Sequence, residues 1–188
     1  MSSRIFKSNE PNTFHYVTCV ANKRRNVFYD NEICTILSEV IEEIKQKHPF
    51  KLAGYVFMPD HIHMILNPLV PESGTILRKI KGKSGKLIID YLIENRRYKD
   101  LKWLRIHVKN RKYALWQTRS SDIDLISKKF FKQKLDYIHM NPVRGGLCET
   151  PEDWIWSSCR ALKTGDPNDS PLEVDLDPYW TADELNSL

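Results

Sequence analysis

Apolar and polar positions follow regular patterns along the chain, and the first two patterns predict a strand and a helix. Residues 13–20 are rich in β-branched and aromatic side chains, which is typical of a strand. Over residues 31–47 the apolar positions recur at helical spacing. Asp30 or Asn31 can cap the start of this helix, and Pro49 is expected to end it.

The next two apolar segments predict an antiparallel hairpin, and a longer helix follows it. Residues 51–57 and 61–66 have strand composition, and the intervening Met-Pro-Asp at 58–60 has turn chemistry. Residues 73–95 then show an amphipathic helical pattern that is heavily basic on its polar face. We therefore expect a strand pair followed by a second helix.

The pattern is weaker in the later part of the chain. Residues 105–108 and 113–116 predict short strands around the basic turn at 109–112. From about residue 122 to 140 the apolar positions predict a third helix, which we expect Pro142 to end.

The order of these elements predicts the fold class. Strand, helix, strand, strand, helix, strand, helix indicates an α+β domain in which helices pack on an antiparallel sheet. Ferredoxin-like topology belongs to this pattern. A chain of 188 residues suits one domain with a short appendage. We expect residues 1–147 to form the domain and the loop-rich residues 148–188 to form a tail that packs on it.

Composition excludes several classes of protein. The chain is 41% hydrophobic and 28% charged, which is ordinary for a soluble globular protein. No segment approaches the roughly 20 apolar residues that cross a bilayer, and the N-terminus lacks the apolar core of a signal peptide. The four cysteines form no CxxC pair, which argues against a zinc knuckle or a disulfide framework. We expect a cytoplasmic protein with reduced thiols and no membrane partner.

Basic residues are concentrated in the middle of the chain. The net charge is +5, and residues 78–112 hold thirteen Lys and Arg against three Asp and Glu. This distribution favours a phosphate backbone as partner, although a solvated helix face has the same composition. Trp103, Tyr113 and Trp116 are candidates to stack on unpaired bases, or core residues. The candidate phosphate contacts are Arg78, Lys79, Lys81, Lys83, Lys86, Arg105, Lys109, Arg111 and Lys112.

The first chemical signal is the pair His61 and His63 in the second strand of the hairpin. Residues two apart on a strand point to the same face, so both imidazoles project together while Ile62 points to the core. Two such imidazoles can share one divalent cation. The alternative is an exposed strand face that carries two histidines without a metal.

The second signal is Tyr137 and Asn141 in the predicted third helix. Residues four apart lie on one face of a helix, so a phenol and a carboxamide are presented together. Asn141 is a candidate third metal ligand, whereas His139 points to a different side of the helix. A tyrosine nucleophile needs its proton removed or its negative charge stabilised. The alternative is a packed aromatic residue followed by a helix terminator.

Three segments together resemble a known family. Residues 55–66 resemble the His-hydrophobic-His segment of the single-tyrosine transposases, in the form found in the REP-associated tyrosine transposases. Residues 136–147 resemble their tyrosine helix, and residues 151–158 resemble the segment that follows it. The segments occur in the order found in the family.

The resemblance implies a ferredoxin-like domain that cleaves single-stranded DNA near a hairpin through a 5′-phosphotyrosine intermediate. It implies a divalent metal, Mg²⁺ or Mn²⁺, bound by His61 and His63, with Asn141 where the family has a polar residue that helps to bind it. Tyr137 matches the catalytic tyrosine. Arg144, in the same segment, joins the candidate DNA contacts.

Two other functions fit the same residues. The first is a hairpin-binding protein that descends from a transposase and does not cleave. The second is an unrelated metallohydrolase in which a metal-activated water attacks the substrate and Tyr137 only supports the fold. The sequence also leaves open whether the protein is a monomer or a homodimer.

Overall fold

The computed structural model describes residues 12–70, 72–108, 110–181 and 184. The main sheet is built from β1, β2, β3 and β6, and a separate two-stranded ribbon is built from β4 and β5. In chain order the elements are β1 (Phe14–Val20), α1 (Asn31–Lys47), β2 (Phe50–Met58), β3 (His61–Pro68), α2 (Ser73–Glu94), α3 (Tyr98–Leu104), β4 (Arg105–Val108), β5 (Arg111–Tyr113), β6 (Ser121–Leu125), α4 (Lys128–Arg144) and α5 (Cys159–Thr164).

The main sheet has the strand order β2-β3-β1-β6, and the printed strand pairs are antiparallel. With α1 between β1 and β2, and α2 between β3 and β6, this is the ferredoxin-like arrangement. The α+β prediction is confirmed. The first helix also begins as expected, because the Asp30 carboxylate accepts hydrogen bonds from the backbone N–H groups of Glu32 and Ile33.

Both faces of the sheet are covered. On one face, alternate strand residues such as Val17, Ile62 and Met64 pack with α1 and α2 in the larger core cluster. On the other face, Tyr16 and Ile65 pack against α4 in a second cluster. Successive side chains of a strand point to opposite faces of the sheet, so neighbouring residues contact different helices.

The predicted third helix was wrong at both ends. Residues 121–125 form β6, because Ile123 and Asp124 pair with β1 residues rather than continuing a helical turn. The helix α4 begins after Ser127, whose hydroxyl accepts a hydrogen bond from the N–H of Phe130. It also continues past Pro142, which costs that residue's own hydrogen bond but does not stop the last turn.

The basic ribbon also differs from its prediction. Its second strand is Arg111–Tyr113, and Trp116 instead forms an isolated bridge to Ala21 at the edge of the main sheet. The short helix α3 was not predicted, because seven residues are too few to show a clear helical period.

The residues after 147 cover the free edge of β2. The backbone N–H of Phe57 donates to the carbonyl of Trp156, at 2.8 Å, and that of Asp175 donates to Leu52, at 2.9 Å. Leu172 is buried in the larger core cluster. The tail therefore shields an edge strand that would otherwise expose unpaired backbone groups. The division of the chain at residue 147 stays a prediction.

Two expectations from composition can be compared with the structure. The four cysteines are free, and Cys19 and Cys34 are buried, as reduced core thiols would be. No helix in the described ranges combines the length and the hydrophobicity needed to cross a bilayer.

Candidate active site

The histidine pair lies on the face of the sheet that α4 covers. His61 and His63 project together from β3 with ring centroids 4.8 Å apart, while Ile62 is fully buried on the opposite face. The alternation of the strand therefore brings the two imidazoles together as the sequence indicates. Their other surroundings come from β1 and α4.

Hydrogen bonds engage the Nδ1 atom of each imidazole. His63 Nδ1 lies 2.9 Å from the Tyr16 hydroxyl and 2.8 Å from Thr18 Oγ1. His61 Nδ1 lies 2.5 Å from a carboxylate oxygen of Asp60. Partners of this kind orient metal-binding histidines and set their tautomer. With Nδ1 engaged in both rings, Nε2 is the atom that each can offer to a metal.

Burial keeps His63 in the neutral form that binds metals. Burial lowers the pKa of His63 to about 3, and electrostatic repulsion from its neighbours His61 and Lys134 acts in the same direction. At neutral pH its Nε2 lone pair is therefore available. Burial raises the pKa of Asp60, but the hydrogen bonds from His61 and Arg24 outweigh it and the pKa is lowered overall.

Tyr137 of the same chain lies beside the histidine pair. Its ring centroid is 5.8 Å from that of His63 and 6.5 Å from that of Tyr16, with both contacts edge to face. The side chain is half-exposed, at 40% relative accessibility. A substrate can therefore contact this side chain from solvent.

Two tyrosines contact His63, and their environments separate their roles. Tyr16 is buried, and burial raises its pKa to about 12. Its hydroxyl also serves His63 as a hydrogen-bond partner. Tyr137 is half-exposed, and among the described residues its hydroxyl has no hydrogen-bond partner. Tyr137 is therefore the residue of the two that is suited to attack a substrate.

Two cations flank Tyr137, and the sequence indicated only one of them. Arg144 lies with its guanidinium carbon 5.5 Å from the Tyr137 ring centroid. Lys134 Nζ lies 5.6 Å from the same centroid and 4.7 Å from that of Tyr16. Lys134 precedes Tyr137 by three residues on α4, so helical spacing was the signal that could have identified it.

Asn141 lies one turn after Tyr137 on the same face of α4. It is buried, and its side-chain Nδ2 has no hydrogen-bond partner. Four residues further, a Cβ on Gly145 would lie 3.4 Å from Met58 Cε, and Met58 pairs with His61. The helix face of Tyr137, Asn141 and Gly145 therefore follows the strand pair that carries the histidines.

These donors fit a divalent metal. Two imidazole Nε2 atoms and a carboxamide oxygen suit a hydrated ion such as Mg²⁺ or Mn²⁺. The buried, unpaired Nδ2 group of Asn141 is a hydrogen-bond donor and would take no part in holding the ion. The residues present fit the ion that the resemblance implies.

Only some of the basic residues predicted to contact DNA lie together in the structure. Arg78, Lys81 and Arg111 surround one cleft, and Arg144 lies at Tyr137. The other positions on α2 and the ribbon do not line this cleft, but Arg105 and Lys112 line a second one together with Arg111. Lys83 pairs with Glu43, Lys86 with Asp90, and Lys112 stacks over Tyr113; Lys79 and Arg105 are exposed, and Lys109 lies outside the described residues.

The three aromatic residues predicted to stack on bases differ in their exposure to solvent. Trp116 is buried, and its indole N–H donates to Ser84 Oγ at 3.0 Å, so it belongs to the core. Trp103 is half-exposed beneath the guanidinium of Arg25. Tyr113 packs against the larger core cluster with part of its surface open.

A second group of metal-type donors lies on the opposite face of the sheet. His15 Nδ1 is 3.0 Å from an Asp122 carboxylate oxygen and 3.2 Å from one of Asp124. Ser73, at the start of α2, donates to Asp122 at 2.7 Å. These contacts tie β1, β6 and α2 together without an ion. The group is separate from the histidine pair. His15 and Tyr16 are neighbours on β1 and point to opposite faces of the sheet, and the histidine pair lies on the face of Tyr16.

His139 points away from Tyr137, as helical spacing predicted. Its Nε2 lies 2.9 Å from Ser158 Oγ in the tail segment. Burial lowers the pKa of His139 to about 4. It therefore helps to attach the tail to α4 and is not placed to bind the metal.

We expect His139 to make stability depend on pH. Between about pH 6.5 and pH 4 the unfolded chain binds a proton at this residue and the folded protein does not, so stability falls as pH falls. The variant His139→Gln, which keeps a donor toward Ser158, should lose less stability over this window, by about 1–3 kcal/mol. Urea unfolding at pH 7 and pH 4 measures the difference. Equal losses in both proteins would contradict the prediction.

Comparison with known families adds to this geometry. A sequence model of the family described as "Transposase IS200 like" matches residues 10–129. This range includes the main sheet and both histidines, but it ends just after α4 begins. The role of Tyr137 therefore depends on its position in the structure and on the sequence motif.

Two curated relatives carry the same kind of name. A candidate REP-associated tyrosine transposase of Haemophilus influenzae is 28% identical over 151 residues, covering 77% of this chain and 78% of that protein. The REP-associated tyrosine transposase of Escherichia coli K12 is 25% identical over 123 residues, covering 65% of this chain and 62% of that protein. The resemblance stated from the motifs is confirmed.

A solved structure shares the fold over nearly the whole chain. It is described as a REP-associated tyrosine transposase bound to a REP hairpin, with a TM-score of 0.66 and 20% sequence identity. The alignment covers 97% of this chain and 93% of that chain. At this identity the likeness supports the fold.

Proposed function

Because this chain belongs to the IS200-like transposase family, we propose that it cleaves single-stranded DNA beside a hairpin with Tyr137 as nucleophile. The observation that carries the proposal is the position of a half-exposed tyrosine against two oriented histidines, with the Tyr137 and His63 rings 5.8 Å apart. A tyrosine that only supported the fold would gain more from full burial.

The choice of substrate follows from the relatives and from the charge. A structure with the same fold is described as bound to a REP hairpin, and the basic middle of this chain suits a phosphate backbone. The tyrosine and both histidines come from one chain.

The reaction is an in-line displacement at phosphorus. The Tyr137 oxygen forms a bond to the phosphorus while the bond from phosphorus to the 3′ oxygen of the preceding nucleotide breaks. The products are a 5′-phosphotyrosine link and a free 3′-hydroxyl. One phosphodiester replaces another, so attack by a 3′-hydroxyl on the link reverses the step and joins strands.

His61, His63 and Asn141 would hold Mg²⁺ or Mn²⁺, which supplies positive charge that stabilises the attacked phosphate. Tyr16 and Thr18 orient His63, and Asp60 orients His61. Lys134 and Arg144 stabilise negative charge on the Tyr137 oxygen and on the phosphate.

Replacing Lys134 with Met should slow cleavage about tenfold, because one unit charge within several ångströms of the phenolate is removed. Lys134→Arg should restore most of the rate. Single-turnover cleavage of a labelled oligonucleotide measures the effect. Lys132→Met, on the exposed side of the same helix, is the control. Equal rates for the Lys134→Met and Lys132→Met variants would contradict the assignment.

The proposal is tested with hairpin DNA that carries randomised single-stranded flanks and a 3′-terminal fluorophore. After incubation with Mn²⁺, a denaturing gel should show the fluorophore attached to protein, because the tyrosine retains the fragment on the 3′ side. Cleavage without attached fluorophore would indicate a metallohydrolase. Binding without cleavage would indicate a hairpin-binding protein. Either result overturns the proposal.

A further inference from the structure

A basic cleft lies between α2, the ribbon and the segment that leads into β6. Its volume is about 490 Å³, and its basic side chains are Arg78, Lys81 and Arg111. Gln117 and Thr118 add polar groups. The cleft is therefore positively charged on several sides and lined with hydrogen-bonding groups.

The three cations lack carboxylate partners among the described residues. Lys81 Nζ donates to the Thr118 carbonyl at 3.0 Å and to Ser120 Oγ at 2.9 Å. Arg111 Nε donates to a backbone carbonyl at 3.2 Å. On the same helix as Lys81, by contrast, Lys86 has a carboxylate partner at 2.6 Å. The cleft thus brings together three cations that have no carboxylate partner among the described residues.

The lining also holds one carboxylate, Asp122, so the three cations leave the cleft with a net positive charge. Asp122 accepts a hydrogen bond from Ser73 and lies 3.0 Å from His15 Nδ1. The cations also act on one another, because burial and the charge of Arg111 both lower the pKa of Lys81. An anion in the cleft would relieve this repulsion, and arginine forks suit a phosphate.

The cleft lies at the same end of the sheet as the histidine pair. Ser120 lines it, and the next residue, Ser121, pairs with Thr18. Thr18 in turn hydrogen-bonds His63 on the neighbouring strand. Two strand spacings separate the β3 and β6 positions, which is about 10 Å. A polynucleotide that passes around the β6 edge can therefore reach both places.

We propose that this cleft binds backbone phosphates of the DNA strand that flanks the cleavage point. The identity of the ligand as DNA rests on the proposed function. The cleft contacts phosphates on the α2 side of the β6 edge, while Tyr137 acts on the α4 side. It therefore anchors the substrate without taking part in the chemistry.

Gly82 offers a sharp test of the cleft. It lines the cleft within α2, and a Cβ added there meets no atom within 4 Å. Replacing a helical glycine removes a propensity cost, so the fold should tolerate the change. Gly82→Glu places a carboxylate among the cations, and Gly82→Gln is its matched neutral control.

Binding is measured by fluorescence anisotropy in the Tyr137→Phe background, which prevents cleavage, with hairpin DNA carrying single-stranded flanks. Arg78→Ala and Arg111→Ala should each weaken binding about tenfold. Each should also reduce the slope of log affinity against log salt by about 0.7–0.9. Gly82→Glu should weaken binding at least as much and about tenfold more than Gly82→Gln, which adds a side chain of the same size without the charge. Lys86→Ala, outside the cleft, should bind like the background protein.

Unchanged affinity and salt slope in the arginine variants would overturn the proposal that the cleft binds DNA. Equal binding by the Gly82→Glu and Gly82→Gln variants would overturn it as well. The adduct assay on the wild-type protein is a separate readout. An adduct together with unaffected cleft variants removes only this inference. Weakened cleft variants without any wild-type adduct support the cleft and remove the proposed nuclease activity.

Discussion

Replacing Tyr137 with phenylalanine should reduce formation of the covalent DNA adduct by about a thousandfold or more, the effect of losing an enzyme's nucleophile. The variant keeps the ring that contacts His63 and lacks only the attacking oxygen. Stability should change by less than about 0.5 kcal/mol, because the hydroxyl is on a half-exposed side chain and has no partner among the described residues. Affinity for hairpin DNA should be unchanged.

Tyr16→Phe is the matched control for this experiment. It removes a hydroxyl that also lies close to His63, but that hydroxyl is buried and hydrogen-bonded. The adduct should still form in this variant, at a rate reduced by the loss of a partner that orients His63. An adduct that persists in Tyr137→Phe and disappears in Tyr16→Phe would contradict the assignment of the nucleophile.

The second large effect is expected from the histidine pair. His61→Ala should lower cleavage at least about a hundredfold, since even an outer partner of a metal ligand is worth about 10–100-fold. His61 is the better choice than His63, because His63 is buried and its removal would leave a cavity. Loss of activity in His61→Ala can therefore be separated from loss of folding.

Thermal unfolding with Mn²⁺ measures the metal directly. At a hundredfold excess over its dissociation constant a bound ion stabilises the folded state by about 2.7 kcal/mol. The wild-type protein should show this gain and His61→Ala should not. His15→Asn, in the donor group on the opposite face, should respond like the wild type. If His15→Asn loses the gain and His61→Ala keeps it, the ion binds at the other face.

Much of the fold could be predicted because its main elements have strong local patterns. The helix α1 has apolar residues at each turn and a capping aspartate, and the hairpin of β2 and β3 is marked by Met-Pro-Asp. The strand β6 could not be predicted in the same way. Its five residues become a strand through pairing with β1, which is a contact between distant parts of the chain.

In the candidate site, too, local spacing predicts some positions and contacts between distant parts of the chain determine the others. Spacing alone places His61 beside His63, and Tyr137 on one helix face with Asn141. The positions of Tyr16 and Thr18 depend on the pairing of β1 with β3, which the sequence pattern does not specify. The basic set shows this limit most clearly, because a run of lysines and arginines does not reveal which of them meet carboxylates in the folded chain.

Mass spectrometry of the adduct identifies the residue to which DNA becomes linked, which we expect to be Tyr137. Trypsin should release residues 135–144, a peptide that contains a single tyrosine. After nuclease trimming, we expect this peptide to carry a nucleotide through its 5′ phosphate at Tyr137. A nucleotide on the peptide that contains Tyr16, on any other peptide, or on none would contradict the account.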